Sequence, residues 1–186
     1  MREALKEACK PLHDEIEGMM YSKNIQDNSM SMSQLQHLLK INYFYFAQLE
    51  QLLSSSDYSV DFPIKKTTII LDDMKRMEKE IDTSEQAPFP LGLDDTSEEH
   101  ILGSLYVAIG SSMGGQMIYK KLKENEGLSK ASLHFFESAK DTIKLWKLFL
   151  AKLEERKVDL EEGKLIKAAQ RNFTYLMDLR KEVPAV

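Results

Sequence analysis

Four side chains of the segment LKEACKPLHDEIE can bind a metal or an anion: Lys6, Lys10, His13 and Glu17. Their spacings of four, three and four place them on one face of a helix, an alignment that Pro11 makes approximate. A neutral imidazole is the commonest metal ligand. A carboxylate one turn away can orient the ring by accepting from its second nitrogen, directly or through water. The lysines suit an anionic group on the same ligand. Each residue also has an ordinary reading: a lone helical histidine is more often a surface or core residue, and paired lysines are usually a solvated face.

A second cluster is made of glycine. Gly103, Gly110, Gly114 and Gly115 put half of the chain's eight glycines into thirteen residues, around the stretch AIGSSMGGQ. The flanks read as helix, because Ile101, Leu105, Ala108 and Ile109 recur at helical spacing, as do Met113, Met117 and Leu122. Each glycine inside a helix costs about 1 kcal/mol relative to alanine, roughly 4 kcal/mol for the four. Two uses could justify that: close packing of one helix on another, or a helix lying against a large flat ligand and bending around it. Gly110 and Gly114 are four apart and share a face. Spacing alone does not choose between the two.

Other candidates are weaker. His37 and His134 read as packing or surface residues. A di-iron site in a helical bundle uses Glu-x-x-His pairs on two helices. Glu98, Glu99 and His100 are consecutive, so they point in different directions. Tyr43, Phe44, Tyr45 and Phe46 must face all sides of their helix, with core as the default. Met30, Met32, Met113 and Met117 need no explanation beyond packing. No nucleophile elbow, phosphate-binding loop, C-x-x-C or H-E-x-x-H motif occurs.

The elements that must position these groups read as helices throughout. With 186 residues, 42% hydrophobic and 30% charged, one domain over 1–186 is expected. Helices are predicted over about 2–20, with a kink or fresh start near Lys10, and over 32–54, capped by Ser31 or Ser33 with Gln34 and Gln36 in capping-box positions. Others are predicted over 63–81, over 97–124 behind a Thr96–Glu99 capping box, over 129–155 and over 159–182. The fold class is all-α, a single-domain bundle of about six helices. A formal charge of −5 argues against a general nucleic-acid binder. The absence of a run of about 18 apolar residues argues against a membrane span. The charged amphipathic start MREALKEACK is unlike a signal peptide, and the single Cys9 fits a reducing cytoplasm.

Taken together, three stretches in this order resemble the heme oxygenase family. LKEACKPLHDEIE resembles its proximal helix, LGSLYVAIGSSMGGQMIYKKL its distal helix, and FFESAKDTIKLWKLFLAKLEE the helix with basic contacts to the haem propionates. The pattern G-S-x-x-G-G is similar to that of bacterial members. The resemblance implies a haem held between the first and the glycine-bearing helices. His13 would ligate the iron with Glu17 as its neighbour, and Gly110, Ser111 and Gly114 would form the reacting distal face. Gly115 would permit close approach, while Lys6, Lys10 and Lys147 would meet the propionates and Phe173 would line the pocket. Lys147 stands where family members carry arginine, keeping the charge without the bidentate fork. Two further departures are Ser111, an aspartate in animal members, and Phe46, a tyrosine there.

The implied activity is oxidative cleavage of haem b, as substrate and cofactor, to biliverdin, carbon monoxide and ferrous iron. It uses O2 and electrons from an external donor, a ferredoxin, flavodoxin or reductase; a biliverdin-accepting phytochrome is an implied partner of some members. No nucleic acid or membrane partner is expected. The alternative is a non-catalytic haem or tetrapyrrole binding protein on the same fold.

Overall fold

The computed structural model describes residues 1–92, 97–111 and 113–185. In chain order its α-helices are α1 (Arg2–Met19), α2 (Ser22–Gln26), α3 (Met32–Ser54), α4 (Tyr58–Asp61), α5 (Lys66–Arg76), α6 (Glu98–Ser111), α7 (Gly115–Glu124), α8 (His134–Glu137), α9 (Thr142–Arg156) and α10 (Glu162–Glu182). Short 3-10 turns occupy Glu126–Leu128 and Ser138–Asp141. The all-α class stands, and the long periodic segments are where the sequence puts them.

Among the described residues there are ten α-helices where about six are expected, for local reasons. The expected helix 97–124 is two helices, because the chain turns at Met113 and Gly114 and Gly114 becomes the N-cap of α7. The four glycines are therefore not all inside one helix: Gly103 and Gly110 lie in α6, and Gly114 and Gly115 at the start of α7. The expected helix 129–155 is reduced to α9, with α8 and the Ser138–Asp141 turn ahead of it. The remaining two, α2 and α4, have five and four residues, too short for a periodic signal. Pro11 does not restart α1, which runs unbroken through it. Pro11 is exposed, so the Glu7 carbonyl left without its N–H partner can turn to water.

Caps explain where several helices begin. Ser31 and Gln34 form the expected capping box: the Ser31 hydroxyl accepts from the Gln34 N–H at 3.2 Å, and Gln34 Oε1 accepts from the Ser31 N–H at 2.9 Å. At α6 the Ser97 hydroxyl accepts from the His100 N–H; Thr96 lies outside the described residues. Glu99 accepts from the Glu161 N–H at 3.0 Å, at the start of α10. Glu50 does the same for α5, accepting from the N–H groups of Lys66 and Thr67. Asp73, fully buried, accepts from the N–H groups of His134 and Phe135 at the start of α8 and from the Ser132 hydroxyl.

The most extensive packing is that of α10 on α6 and of α10 on α1. Thus α1 and α6 are held to one another chiefly through α10. The closest approach is at Gly103, where a Cβ would lie 2.6 Å from Ala168 Cβ and 2.9 Å from the Ala169 nitrogen. One stretch among the described residues, Glu98–Glu124, is long and apolar enough to cross a membrane by length and composition. It comprises α6 and α7, about half of it is buried, and its first half is the helix packed on α10.

Candidate functional site

His13 sits on the outer face of α1 with its side chain 48% exposed. Nε2 is 3.8 Å from Glu17 Oε1 and Nδ1 is 3.9 Å from Asp14 Oδ1, both too long for hydrogen bonds. Both ring nitrogens are thus uncommitted, and the ring is steadied by Phe173 of α10, edge-on with centroids 6.0 Å apart. The donor atoms of His13, Asp14 and Glu17 lie within 4.8 Å of one another, a geometry that could hold a cation. Lys6 is exposed and makes no ion pair among the described residues. Lys10 is paired with Asp14 at 2.7 Å. That bond raises the Lys10 pKa and lowers that of Asp14, so an anionic ligand at Lys10 must compete with Asp14.

The four glycines divide into two kinds. Gly103 and Gly115 are packing glycines: a Cβ at Gly115 would lie 2.6 Å from Ala139 Cβ. The missing side chain at Gly115 makes room for the Ser138–Asp141 turn. At Gly110 a Cβ would make ordinary contact, 3.5 Å from the Trp146 ring, and at Gly114 it would meet nothing closer than 3.8 Å. Among the described residues, no packing requires glycine at these two positions. Met113 and Met117, read as packing residues, are instead 48% and 72% exposed beside Gly114. Their spacing of four around Gly114 was the signal that they share its surface.

The remaining expected residues are placed as follows. Ser111 is exposed, and its hydroxyl donates to the Ala108 carbonyl at 3.1 Å, leaving its lone pairs to accept. Lys147 is exposed on α9, one residue from Trp146, and makes no ion pair among the described residues. Trp146 was missed at the sequence level; it stacks on Phe149 (5.3 Å, 23°) and neighbours Tyr106 of α6 (5.9 Å). Phe46 is buried in the core, edge-on to Tyr45 and to Phe135. Glu98 is held by Arg156 through two hydrogen bonds (2.8 and 2.9 Å) and by the Tyr58 hydroxyl, and Arg156 keeps its carboxyl below the usual range. Two concave surfaces, of about 370 and 430 Å³, lie elsewhere, beside His134 and beside this Glu98–Arg156 pair.

A family model described as heme oxygenase matches residues 1–182. The chain belongs to the heme oxygenase family. A curated heme oxygenase of Xanthomonas campestris pv. campestris (strain 8004) is 42% identical over 62 residues, 33% of this chain. The match spans only 37% of that relative's length. The heme oxygenase of Neisseria meningitidis, solved with NO and CO bound, has the same fold, with a TM-score of 0.70 at 17% identity over 97% of this chain and 89% of that one.

The residues present fit the flat ligand that the family name implies. His13 offers an accessible nitrogen, Gly110 and Gly114 offer bare backbone, and Lys6 and Lys147 offer cations without ion-pair partners among the described residues.

Proposed function

We propose that this chain is a heme oxygenase in activity, acting as one domain over 1–186. It cleaves haem b to biliverdin, carbon monoxide and ferrous iron with O2 and electrons from an external ferredoxin, flavodoxin or reductase. The observation that carries the reading is the division of the glycines, with Gly110 and Gly114 bare where no neighbouring side chain demands it. When bound, haem supplies the redox-active iron and is itself the carbon skeleton that is oxidised. This chain's residues do the rest. His13 ligates from α1, with Glu17 orienting the ring through water across the 3.8 Å gap. As a neutral imidazole it pushes less electron density to the iron than a thiolate would. Gly110 and Gly114 let α6 and the turn after it approach the opposite face, where a side chain would stand in the way. Ser111 can hold water by accepting at its hydroxyl. Lys6, Lys10 and Lys147 neutralise the propionates, Lys10 after releasing Asp14. A biliverdin-accepting phytochrome would serve as partner downstream.

The test is an absorption titration of the protein with hemin, followed by reductant in air with catalase present. The expected result is a saturating one-to-one Soret complex that His13→Ala weakens, then bleaching with growth of biliverdin absorption. A stable reduced complex with every reductant tried would favour the non-catalytic binding protein. The bond of Ser111 back to Ala108 and the burial of Phe46 against Phe135 are the observations on that side. Absence of any Soret complex would remove haem from the assignment.

A further inference from the structure

A buried polar chain joins three helices behind the glycine-bearing face. The Tyr45 hydroxyl of α3 donates to Asn172 Oδ1 of α10 at 3.1 Å. Asn172 Nδ2 donates to Ser104 Oγ of α6 at 2.9 Å and to the Ala168 carbonyl at 2.9 Å, and Ser104 Oγ donates to the His100 carbonyl at 2.8 Å. Asn172 and Ser104 are fully buried and Tyr45 nearly so. Both amide hydrogens and the amide oxygen of Asn172 are therefore partnered. Burying such a group is tolerable only in that state.

The position of this node is informative. Adjacent to Ser104 on α6 is Gly103, the closest helix–helix approach of those made by the glycines, so α6 is locked to α10 at these two residues. Two turns further along, Gly110 meets no atom of α10 within 4 Å among the described residues, only the Trp146 ring of α9 at an ordinary 3.5 Å, and Gly114 meets only the Ser111 carbonyl at 3.8 Å. Adjacent to Asn172 on α10 is Phe173, whose ring meets the edge of His13. One turn of α10 thus reaches both the helix that carries His13 and the helix that carries Gly110.

We propose that Asn172 is a positioning residue: its carboxamide anchors α6 to the floor on which His13 rests and so fixes the bare Gly110–Gly114 backbone opposite the histidine. It touches no ligand and acts through Ser104. The proposal rests on the haem-binding reading above, and two measurements keep the two apart.

The first measurement is amide hydrogen exchange of the ligand-free protein. Asn172→Leu, which keeps the size and removes the bonds, is expected to speed exchange over residues 104–111 about ten-fold, the change that losing a buried hydrogen bond brings. Helix α5, which packs chiefly on α3 and α8 and has no bond to Asn172, should be unchanged. The second is hemin dissociation into an excess of apomyoglobin, expected to be about ten-fold faster in the variant, since weakened contacts act mainly on the off-rate. The His13-dependent Soret band should keep its position. Uniform acceleration across all helices, or an off-rate within about two-fold of the parent, would make Asn172 a stability residue only and overturn the proposal. Should Asn172→Leu fail to fold, Ser104→Ala removes the bond from Asn172 and the bond to the His100 carbonyl with little loss of volume, and is read in the same way. If the parent protein takes up no hemin, the haem reading falls and the positioning role falls with it. Local acceleration at 104–111 would then mark Asn172 as a helix anchor alone.

Discussion

At the scale of single residues, glycines that look alike in the sequence do different work, and stability separates them. Gly103→Ala drives a Cβ to within 2.6 Å of Ala168 Cβ and 2.9 Å of backbone on α10. Overpacking of this kind costs about 1–3 kcal/mol, readable as a lower urea midpoint. Gly110→Ala meets only the Trp146 ring at ordinary distance, and alanine is the better helix former by about 0.5–1 kcal/mol. Its midpoint should stay or rise. Gly110→Leu should then abolish haem turnover while the helical circular dichroism remains. Equal destabilisation by the two alanine variants would mean that Gly110 is a packing glycine as well. The sequence showed that glycines crowd together here, but which of them faces α10 depends on how two helices separated by some 60 residues meet. His13 and Glu17 were readable because both lie on one helix, where spacing alone fixes geometry. Trp146 was not, since its proximity to Gly110 is created by packing of α9 on α6.

At the scale of elements, local signals were legible and tertiary ones were not. Ser31 and Gln34 satisfy each other within one turn, so the start of α3 could be read from four residues. The starts of α5, α8 and α10 depend on Glu50, Asp73 and Glu99, carboxylates supplied by other helices. No window of sequence contains both partners. Asp73 is the strongest case, being buried and bonded to two N–H groups, the Ser132 hydroxyl and His134 Nδ1 at 2.8 Å. Asp73→Ala would leave the His134 and Phe135 N–H groups and the Ser132 hydroxyl without their acceptor. A loss of roughly 3 kcal/mol or more is expected in denaturant melts, because breaking a buried charged network costs that much. A change within about 0.5 kcal/mol, ordinary for a surface substitution, would show that water replaces the carboxylate.

At the scale of the whole molecule, the end of the chain is tied down by a histidine. His37, 3% exposed, faces the Val183 carbonyl through Nε2 at 2.8 Å and the Tyr21 hydroxyl through Nδ1 at 2.6 Å. A carbonyl only accepts, so Nε2 carries the proton and Nδ1 accepts from Tyr21. Burial first, then the nearby Arg180 and Lys40 charges, lower the pKa of His37. The unfolded chain therefore binds this proton at a higher pH than the folded one. Stability is expected to be full above the unfolded value of about 6.5 and to fall as pH drops below it, levelling off once folded His37 also titrates. Urea midpoints at pH 7.5 and 5.5 test this: the fall should be smaller in His37→Gln, and an equal fall in both proteins would assign it to other groups.

The pairing of α1 with α10 also sets an order of events during synthesis. The helix bearing His13 leaves the ribosome before the helix that supplies Phe173 and Asn172. At about 5–20 residues per second, the His13 face waits roughly ten seconds or more for its partner. A ribosome-stalled nascent chain ending before α10 is expected to expose α1 to protease, and one extended past α10 to protect it. Competence for a ligand on the His13 face is thus acquired only once α10 has emerged.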